Sequence, residues 1–77
     1  MTDADTNSRR ERAVQERVAS GRLPRVEPRI LWLGRGTGLE CDGCGEPVTD
    51  SEGEIEIEVD GTYRFHAICM KVWRKCR

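Results

Sequence analysis

Residues 41–69 begin with the motif CDGC at 41–44 and end with the motif HAIC at 66–69. Two thiolates separated by two residues can converge on one ion, and the intervening glycine allows the backbone to turn tightly. A histidine and a cysteine three positions apart share one face of a helical turn. Four such groups suit a closed tetrahedral site. The sequence therefore predicts one structural zinc ion (Zn2+), with these ligands: Cys41, Cys44, His66 and Cys69.

A β-hairpin is predicted between the two pairs of ligands. In residues 54–59 glutamate alternates with isoleucine or valine, which is the period of a half-buried strand. Asp60-Gly61 is a favoured two-residue hairpin turn, and residues 62–66 form the returning strand. We expect the apolar face to pack on a helix. The acidic face should be solvated or should dock on a basic partner, and it comprises Glu54, Glu56, Glu58 and Asp60.

A helix is predicted from about His66 or Ala67 to the C-terminus, with an apolar face that includes Val72 and Trp73. Cys76 on this helix is the alternative fourth ligand. Seven residues of helix separate it from Cys69 by about 10 Å, whereas sulfurs on one zinc ion lie within about 4 Å of each other. We therefore expect Cys76 to act as a small apolar side chain.

The N-terminal half predicts a second helix at residues 8–21 behind a disordered polar tail at residues 1–7. Ser8 and Glu11 fit a capping box at its start, and Gly21 suits a left-handed residue at its end. The helix carries only a thin apolar stripe (Ala13, Val14, Val18 and Ala19). It is therefore marginal alone and is expected to order on docking.

Residues 22–39 predict an irregular connection that packs on the zinc module (residues 40–77). Within it, Ile30-Leu31-Trp32-Leu33 is the densest apolar run of the chain, read as a short strand or an extended segment. Packing in the core is the favoured interpretation of this run, and an exposed partner-binding patch is the alternative. The glycines at 34, 36 and 38 indicate a flexible turn, because the lysine and hydroxyl residue that end a phosphate-binding loop are missing.

Composition explains why a metal is needed. The chain has 77 residues, of which 36% are hydrophobic and 35% charged, so a core of this size does not offset the entropy of ordering. The four cysteines would permit two disulfides. However, the polar start of the chain is no secretion signal, so we expect a cytoplasmic protein with reduced thiols. No apolar run approaches the roughly 20 residues of a membrane span.

A knuckle (residues 41–45) followed by a hairpin and a ligand-bearing helix resembles the treble-clef class of zinc modules. The order of ligands is also similar to the first zinc half of a LIM domain, with Phe65 before His66 as in such modules. The resemblance covers residues 41–73 and lacks the second zinc half of a LIM domain. It implies a small α+β domain whose fold is stabilised by zinc. The rest of the chain resembles small bacterial proteins without an assigned function.

The distribution of charge bears on partners. Residues 9–35 carry eight arginines against three glutamates, residues 40–60 carry nine acidic residues and no basic one, and residues 61–77 carry five basic residues. We expect a non-catalytic interaction or regulatory module with a protein partner and no small-molecule substrate. The alternative is a nucleic-acid-binding zinc finger that uses the arginine-rich N-terminal region and the basic C-terminal helix. The net charge of the chain, −1, argues against nucleic-acid binding.

Overall fold

Residues 3–76 are described by the computed structural model, with side chains from residue 6 onward. Two helices and three strands follow one another along the chain: α1 (Asp3–Ala19), β1 (Arg29–Arg35), β2 (Gly53–Glu58), β3 (Thr62–His66) and α2 (Ala67–Cys76). The strands form an antiparallel sheet in the order β1-β2-β3, so β2 lies in the centre. The predicted α+β class is thus confirmed, and the apolar run at residues 30–33, predicted as a short strand or an extended segment, lies in β1.

The β2–β3 hairpin has the predicted apolar face. Ile55 lies opposite Phe65, and Ile57 opposite Tyr63. Its loop is longer than predicted, because Glu58 pairs with Thr62 and leaves three residues in the turn rather than two. Within this loop Val59 is buried in the core. Its amide donates a hydrogen bond to the carbonyl oxygen of Gly61 at 2.8 Å. The loop therefore gains one residue because the side chain of Val59 packs inward.

The core lies between the hairpin and α2, as the apolar face of that helix predicts. The rings of Phe65 and Trp73 are stacked, with centroids 5.4 Å apart and an angle of 19° between their planes. Both side chains are fully buried, and each contributes a large apolar area to a small core. The indole Nε1 of Trp73 donates a hydrogen bond to the carbonyl oxygen of Pro24 at 2.8 Å. This bond ties the connection after α1 to the centre of the molecule.

The helix α1 packs on α2 through the predicted stripe, since Val14 and Val18 are buried. It ends as predicted. Gly21 has φ of 83°, its amide bonds to the carbonyl of Val18, and the amide of Arg22 bonds to the carbonyl of Arg17. These two hydrogen bonds and the left-handed glycine are the Schellman arrangement.

The start of α1 differs from the prediction. The helix begins at Asp3, so Ser8 lies inside it and is no cap, and residues 3–7 are helical rather than a tail. Residues 1 and 2 lie outside the described residues. The earlier start is explained by tertiary contacts, because ion pairs hold Arg9 and Arg10 in place. Once a helix has formed, extending it by a further turn costs little free energy.

The strand β1 occupies part of the connection that was predicted to be irregular. Ile30 lies opposite Ile57 and Leu33 opposite Ile55, with a register shift at Leu31. The prediction that this apolar run packs in the core is wrong, because residues 30–33 are between 42% and 62% exposed. Within residues 3–76, α2 contacts β2 and β3 but not β1, so no helix covers this strand.

The docking of α1 can be tested at Val14, which is fully buried. We expect Val14→Ala to lower the free energy of unfolding by about 2 kcal/mol, because two buried methyl groups are lost and a cavity remains. Val26→Ala is the matched control, since Val26 is 53% exposed and its truncation should cost little. Chemical denaturation followed by circular dichroism measures both. Equal losses would show that α1 does not depend on this contact.

Candidate metal centre

The knuckle is held in a tight turn by its own backbone. The amide of Gly45 donates to the carbonyl of Cys41 at 2.8 Å, and the amide of Cys41 donates to the carbonyl of Glu46 at 2.9 Å. Gly43 lies at the point of closest approach. A Cβ at this position would stand 2.9 Å from the ring of Phe65 and 3.1 Å from the Cβ of Cys69. The knuckle can pack this closely only because residue 43 has no side chain.

Asp42 aligns the knuckle with β3. Its amide donates to the carbonyl of Arg64 at 2.7 Å, and its Oδ2 accepts the amide of Arg64 at 2.7 Å. His66 is the last residue of β3, and Cys69 lies in the first turn of α2. The same strand end that is tied to the knuckle therefore carries one ligand and leads directly into the other.

The four residues predicted as ligands are brought together. The Sγ atoms of the three cysteines and a ring nitrogen of the histidine all lie within 4.8 Å of one another. The Nδ1 atom of His66 is 3.4 Å from the Sγ of Cys44 and 3.7 Å from the Sγ of Cys69. Ligands about 2.0–2.3 Å from a tetrahedral zinc ion are separated by about 4 Å or less. The cluster is therefore a potential site for one metal ion and is compatible with a single zinc.

The fourth cysteine takes no part in this cluster. Cys76 is half-buried and packs against the apolar core. Among the side chains from residue 6 to residue 76, no other set of three or more acidic, cysteine or histidine groups is close enough to hold a metal. Cys76 thus matches the apolar role that its position in the helix predicts.

Hydrogen bonds divide the protons unequally among the three thiols. The pKa of Cys41 is lowered, first by a hydrogen bond from Cys44 and then by one from Cys69, with further help from the amide of His66. The pKa values of Cys44 and Cys69 are raised, in both cases chiefly by Cys41. Two thiolates about 4 Å apart repel each other by roughly 4 kcal/mol even at an effective dielectric constant of about 20. A bound divalent cation would remove this repulsion, so the donor set fits a metal.

Two backbone amides solvate the sulfur of Cys41. The amide of Gly43 lies 3.2 Å from its Sγ and that of His66 lies 3.4 Å away. Cys41 is buried, so these amides replace the water that would otherwise stabilise a thiolate. The site is thus built to accept negative charge on sulfur.

Contacts to its Nε2 atom orient the imidazole of His66. Its Nε2 atom lies 3.0 Å from the carbonyl oxygen of Pro47 and 3.4 Å from the Oε1 of Glu52, while Nδ1 faces the three sulfurs. A proton on Nε2 is therefore donated to Pro47, which leaves the lone pair of Nδ1 for a metal. The histidine is 1% exposed, so this orientation is also fixed by packing.

Arginines of α1 contact the residues that surround the four candidate ligands, and we call these surrounding residues the outer layer of the site. Arg10 is paired with Glu52 at 2.8 Å and with Glu46 at 3.3 Å, and Arg9 is paired with Glu46 at 2.8 Å. Burial acts to raise the pKa of Glu52, but hydrogen bonds from Arg10 and Thr49 outweigh it and lower the pKa to about 2. Arg17 donates to the carbonyl oxygen of Asp42 at 2.8 Å. Sequence reasoning missed these contacts, because no spacing along the chain links them.

Glu54 does not behave as predicted. It is 2% exposed, although it was assigned to the solvated face of the hairpin. Its carboxylate accepts hydrogen bonds from the amide and hydroxyl of Thr37 at 3.0 and 2.9 Å, and it is paired with Arg64 at 2.9 Å. Burial acts to raise the pKa of Glu54, yet these three bonds keep it below its usual value. In the observed register Glu54 lies opposite His66. The predicted two-residue turn placed Ile55 at that position instead, so the sequence offered no signal for the burial of Glu54.

None of the helices within residues 3–76 is long and apolar enough to cross a membrane. No protein-family model, curated protein or solved structure matches this chain, so its assignment depends on the geometry of the site.

The ligand set can be tested with two variants on the same helix. We expect Cys69→Ser to abolish metal binding and to unfold the module around the cluster, because ligand binding and folding are coupled in small metal sites. Cys76→Ser should keep both the metal and the fold. Elemental analysis and far-ultraviolet circular dichroism measure the two properties. A metal lost from Cys76→Ser but kept by Cys69→Ser would refute the assignment.

The outer layer can be tested at Glu52. We expect Glu52→Ala to weaken metal binding by roughly 10- to 100-fold, because the histidine loses part of its support and Arg10 loses a partner. Glu58→Ala is the control, since Glu58 lies at the far end of β2 from Glu52 and is exposed. Competition with a chromogenic chelator gives the affinities. Equal affinities of the two variants would show that Glu52 has no influence on the site.

Proposed function

We propose that this chain is a non-catalytic zinc-binding module of the treble-clef type that presents a binding surface to a protein partner. One zinc ion, held by Cys41, Cys44, His66 and Cys69, has a structural role. The zinc fixes the knuckle against β3 and α2, and β1 provides the binding surface.

The donor set supports zinc and a structural role. Three thiolates and one imidazole select zinc over magnesium or calcium, which prefer oxygen ligands. Catalytic zinc ions usually have three protein ligands and an open position for water, whereas four protein ligands are within reach here. The Nε2 atom of His66 is also occupied by the carbonyl oxygen of Pro47. The number of protein ligands and this orientation of the histidine support a structural role.

The exposed apolar side chains of β1 are the observation that carries the proposed interaction. Ile30, Leu31, Trp32 and Leu33 are consecutive in the strand, and each is at least 42% exposed. The register places Ile30 and Leu33 on one face of the sheet and Trp32 on the other, so apolar side chains are exposed on both faces at this edge. Single exposed apolar residues are ordinary, but contiguous exposed apolar patches mark interaction sites. A chain with so few large apolar residues does not use these four for its own core. A partner that covers them would supply the burial that they lack.

The arginines of α1 argue against the nucleic-acid alternative. Arg9 and Arg10 are paired with Glu46 and Glu52, and Arg17 binds the backbone of the knuckle. These side chains therefore stabilise the module itself. A nucleic-acid interface needs cations that are available to phosphates. Three of the eight arginines in residues 9–35 thus have an internal role that composition alone does not reveal.

The proposed function can be tested by affinity capture from a nuclease-treated extract of the source cells. We expect the zinc-loaded chain to retain a protein partner, and Leu33→Ser to lose it. Leu39→Ser is the matched control, because Leu39 is similarly exposed and lies outside β1. Retention of a partner from an untreated extract but not from the nuclease-treated one would favour the nucleic-acid alternative. Equal retention by both variants would contradict a binding surface on β1.

A further inference from the structure

We propose that the protein partner presents an amphipathic helix with an acidic flank, and that this helix lies beside α2 on the uncovered face of β1. This inference rests on the proposed function, since it specifies the kind of partner that the surface on β1 binds. The apolar stripe of the partner helix would cover Ile30 and Leu33. Its acidic residues would face the basic side chains of α2.

The sheet is wider than the helix that covers it. Adjacent strands lie about 4.8 Å apart and a helix with its side chains is about 10 Å across, so one helix covers about two strands. Within residues 3–76, α2 contacts β2 and β3, and neither helix contacts β1. The face of β1 next to α2 is therefore an open step, roughly as deep as one helix is wide.

The register assigns two apolar side chains of β1 to this open step. Ile30 lies opposite Ile57 and Leu33 opposite Ile55. This is the face that α2 covers, because Ile55 is also opposite Phe65, whose ring stacks in the core. Ile57 is fully buried, whereas Ile30 and Leu33 are 49% and 62% exposed. A second helix on this face would bury them as α2 buries Ile57.

The apolar floor of the step continues from β1 toward α2. Ile55, the register partner of Leu33, lines a shallow depression of about 340 Å³ together with Ala67 and Met70. Helices that bind in grooves place apolar side chains at positions i, i+3 or i+4, and i+7. One such side chain can enter the depression while its neighbours on the stripe lie over Ile30 and Leu33.

The charged side chains around this floor are basic. Lys71, Arg74 and Lys75 of α2 line the depression, and all three are exposed. Arg35 lies opposite Gly53, on the same face of the sheet as the floor. A Cβ on Gly53 would be 3.7 Å from the Cβ of Ala67, so Arg35 is level with the first turn of α2. None of these four basic side chains forms an ion pair with a side chain within residues 6–76.

The acidic side chains of the hairpin face away from this floor. Glu54, Glu56 and Glu58 alternate with the isoleucines of β2 and lie on the opposite face. Glu54 and Glu56 are paired with Arg64, and Glu58 lies opposite Arg29. A helix in the step is therefore next to the basic residues of α2 and is separated by the sheet from these carboxylates. Charge complementarity thus favours an acidic flank on the side of the partner helix that meets α2.

A second copy of this chain fits the step less well. The apolar stripes of its α1 and α2 are already buried in its own core. If two copies packed these faces together about a two-fold axis, the basic residues of one α2 would approach those of the other. Like charges brought together at an interface cost free energy. An acidic helix meets the same residues with opposite charge.

A nucleic acid also fits less well. Bases stack on aromatic side chains, whereas the floor formed by β1 and β2 is aliphatic. The exposed aromatic residue of β1, Trp32, lies on the other face beside Glu56, and its ring packs over Gly34. Phosphates bound by the basic residues of α2 would leave the aliphatic floor uncovered. An amphipathic helix satisfies the charges and covers the floor together.

The test uses the full zinc-loaded chain and a synthetic peptide with leucines along one face and glutamates along one flank. About fourteen residues suffice, because a helix of that length matches the roughly 20 Å of β1. A side-chain lactam bridge keeps the peptide helical. We expect fluorescence anisotropy to show binding, and nitrogen-15 spectra of the chain to show the largest shifts in β1 and α2.

Two control peptides separate charge and pattern from composition. One has lysine in place of glutamate, and the other has the same residues in scrambled order, so neither should bind. Failure of the acidic helix to bind would overturn the proposal. Binding of either control as tightly as the acidic helix would also overturn it.

Variants of β1 locate the helix on one face of the sheet. Leu33→Ser should weaken binding by about tenfold or more, because the burial of a leucine is lost. Trp32→Ser is the matched control, since Trp32 is the neighbouring exposed apolar residue but lies on the other face. It should bind as the unaltered chain does. Equal weakening by the two variants would contradict a site beside α2.

A variant of α2 tests the acidic flank. Lys71→Glu should weaken binding by about three- to tenfold, and the loss should shrink at high salt because exposed charges are screened. Arg12→Glu is the control, because it makes the same change of charge at an exposed residue of α1. Equal losses from the two variants would show that net charge alone attracts the peptide, which would overturn the proposed contact with α2.

Other outcomes would identify other occupants. A dimer in solution that Leu33→Ser dissociates would identify a second copy, competition by single-stranded RNA a nucleic acid, and binding to phosphatidylserine vesicles a membrane surface. Each of these results overturns the acidic helix. If a captured protein depends on Leu33 but the acidic helix does not bind, the proposed function stands and this inference fails. Absence of zinc from the purified chain would overturn the proposed function itself.

Discussion

The structure depends on the approach of three sulfurs and one imidazole nitrogen to within 4.8 Å of one another. These four atoms belong to the knuckle, to the end of β3 and to the first turn of α2. Thiolates at this spacing repel one another, and the thiols therefore share protons unequally in the absence of a cation. A divalent metal would convert this repulsion into attraction among the knuckle, β3 and α2, which hydrogen bonds and packing already bring together. In a chain with 36% hydrophobic residues, such binding would add to a small core.

Other residues hold these four atoms in position, some by direct contact and some through a second residue. Asp42 fixes the register of the knuckle against β3, and Pro47 with Glu52 fixes the imidazole. Arg10 then connects Glu52 to α1, whose valines pack on α2. An N-terminal helix with a thin apolar stripe is thus held by both charge and packing. Three of its arginines, Arg9, Arg10 and Arg17, contact residues next to the candidate metal site.

The sequence predicted the elements that local spacing controls. The ligand pairs, the hairpin and α2 each have a period or a motif, and Gly21 has a backbone requirement that only a glycine meets easily. The sequence-based predictions were wrong where contacts between residues far apart in the chain determine the structure. The burial of Glu54 depends on Thr37, and the early start of α1 accompanies ion pairs to residues more than thirty positions away.

β1 is the instructive failure. An apolar run of four residues predicts burial, and in most small domains a helix or a second sheet would cover it. Here α2 is only ten residues long and already covers β2 and β3, so the run is left at the edge. Nothing in the run itself reports how many elements are available to cover it. That exposed edge is also what directs the functional proposal away from the metal and toward β1.

X-ray absorption spectroscopy at the zinc edge, on the protein as purified, identifies the ligands of the metal. We expect one zinc per chain with three sulfur ligands at about 2.3 Å and one nitrogen ligand at about 2.0 Å. The same spectrum should result from Cys76→Ser. Four sulfur ligands would mean that Cys76 has replaced His66. A nitrogen- and oxygen-rich shell, or a chain without zinc and with its cysteines oxidised in pairs, would contradict the account.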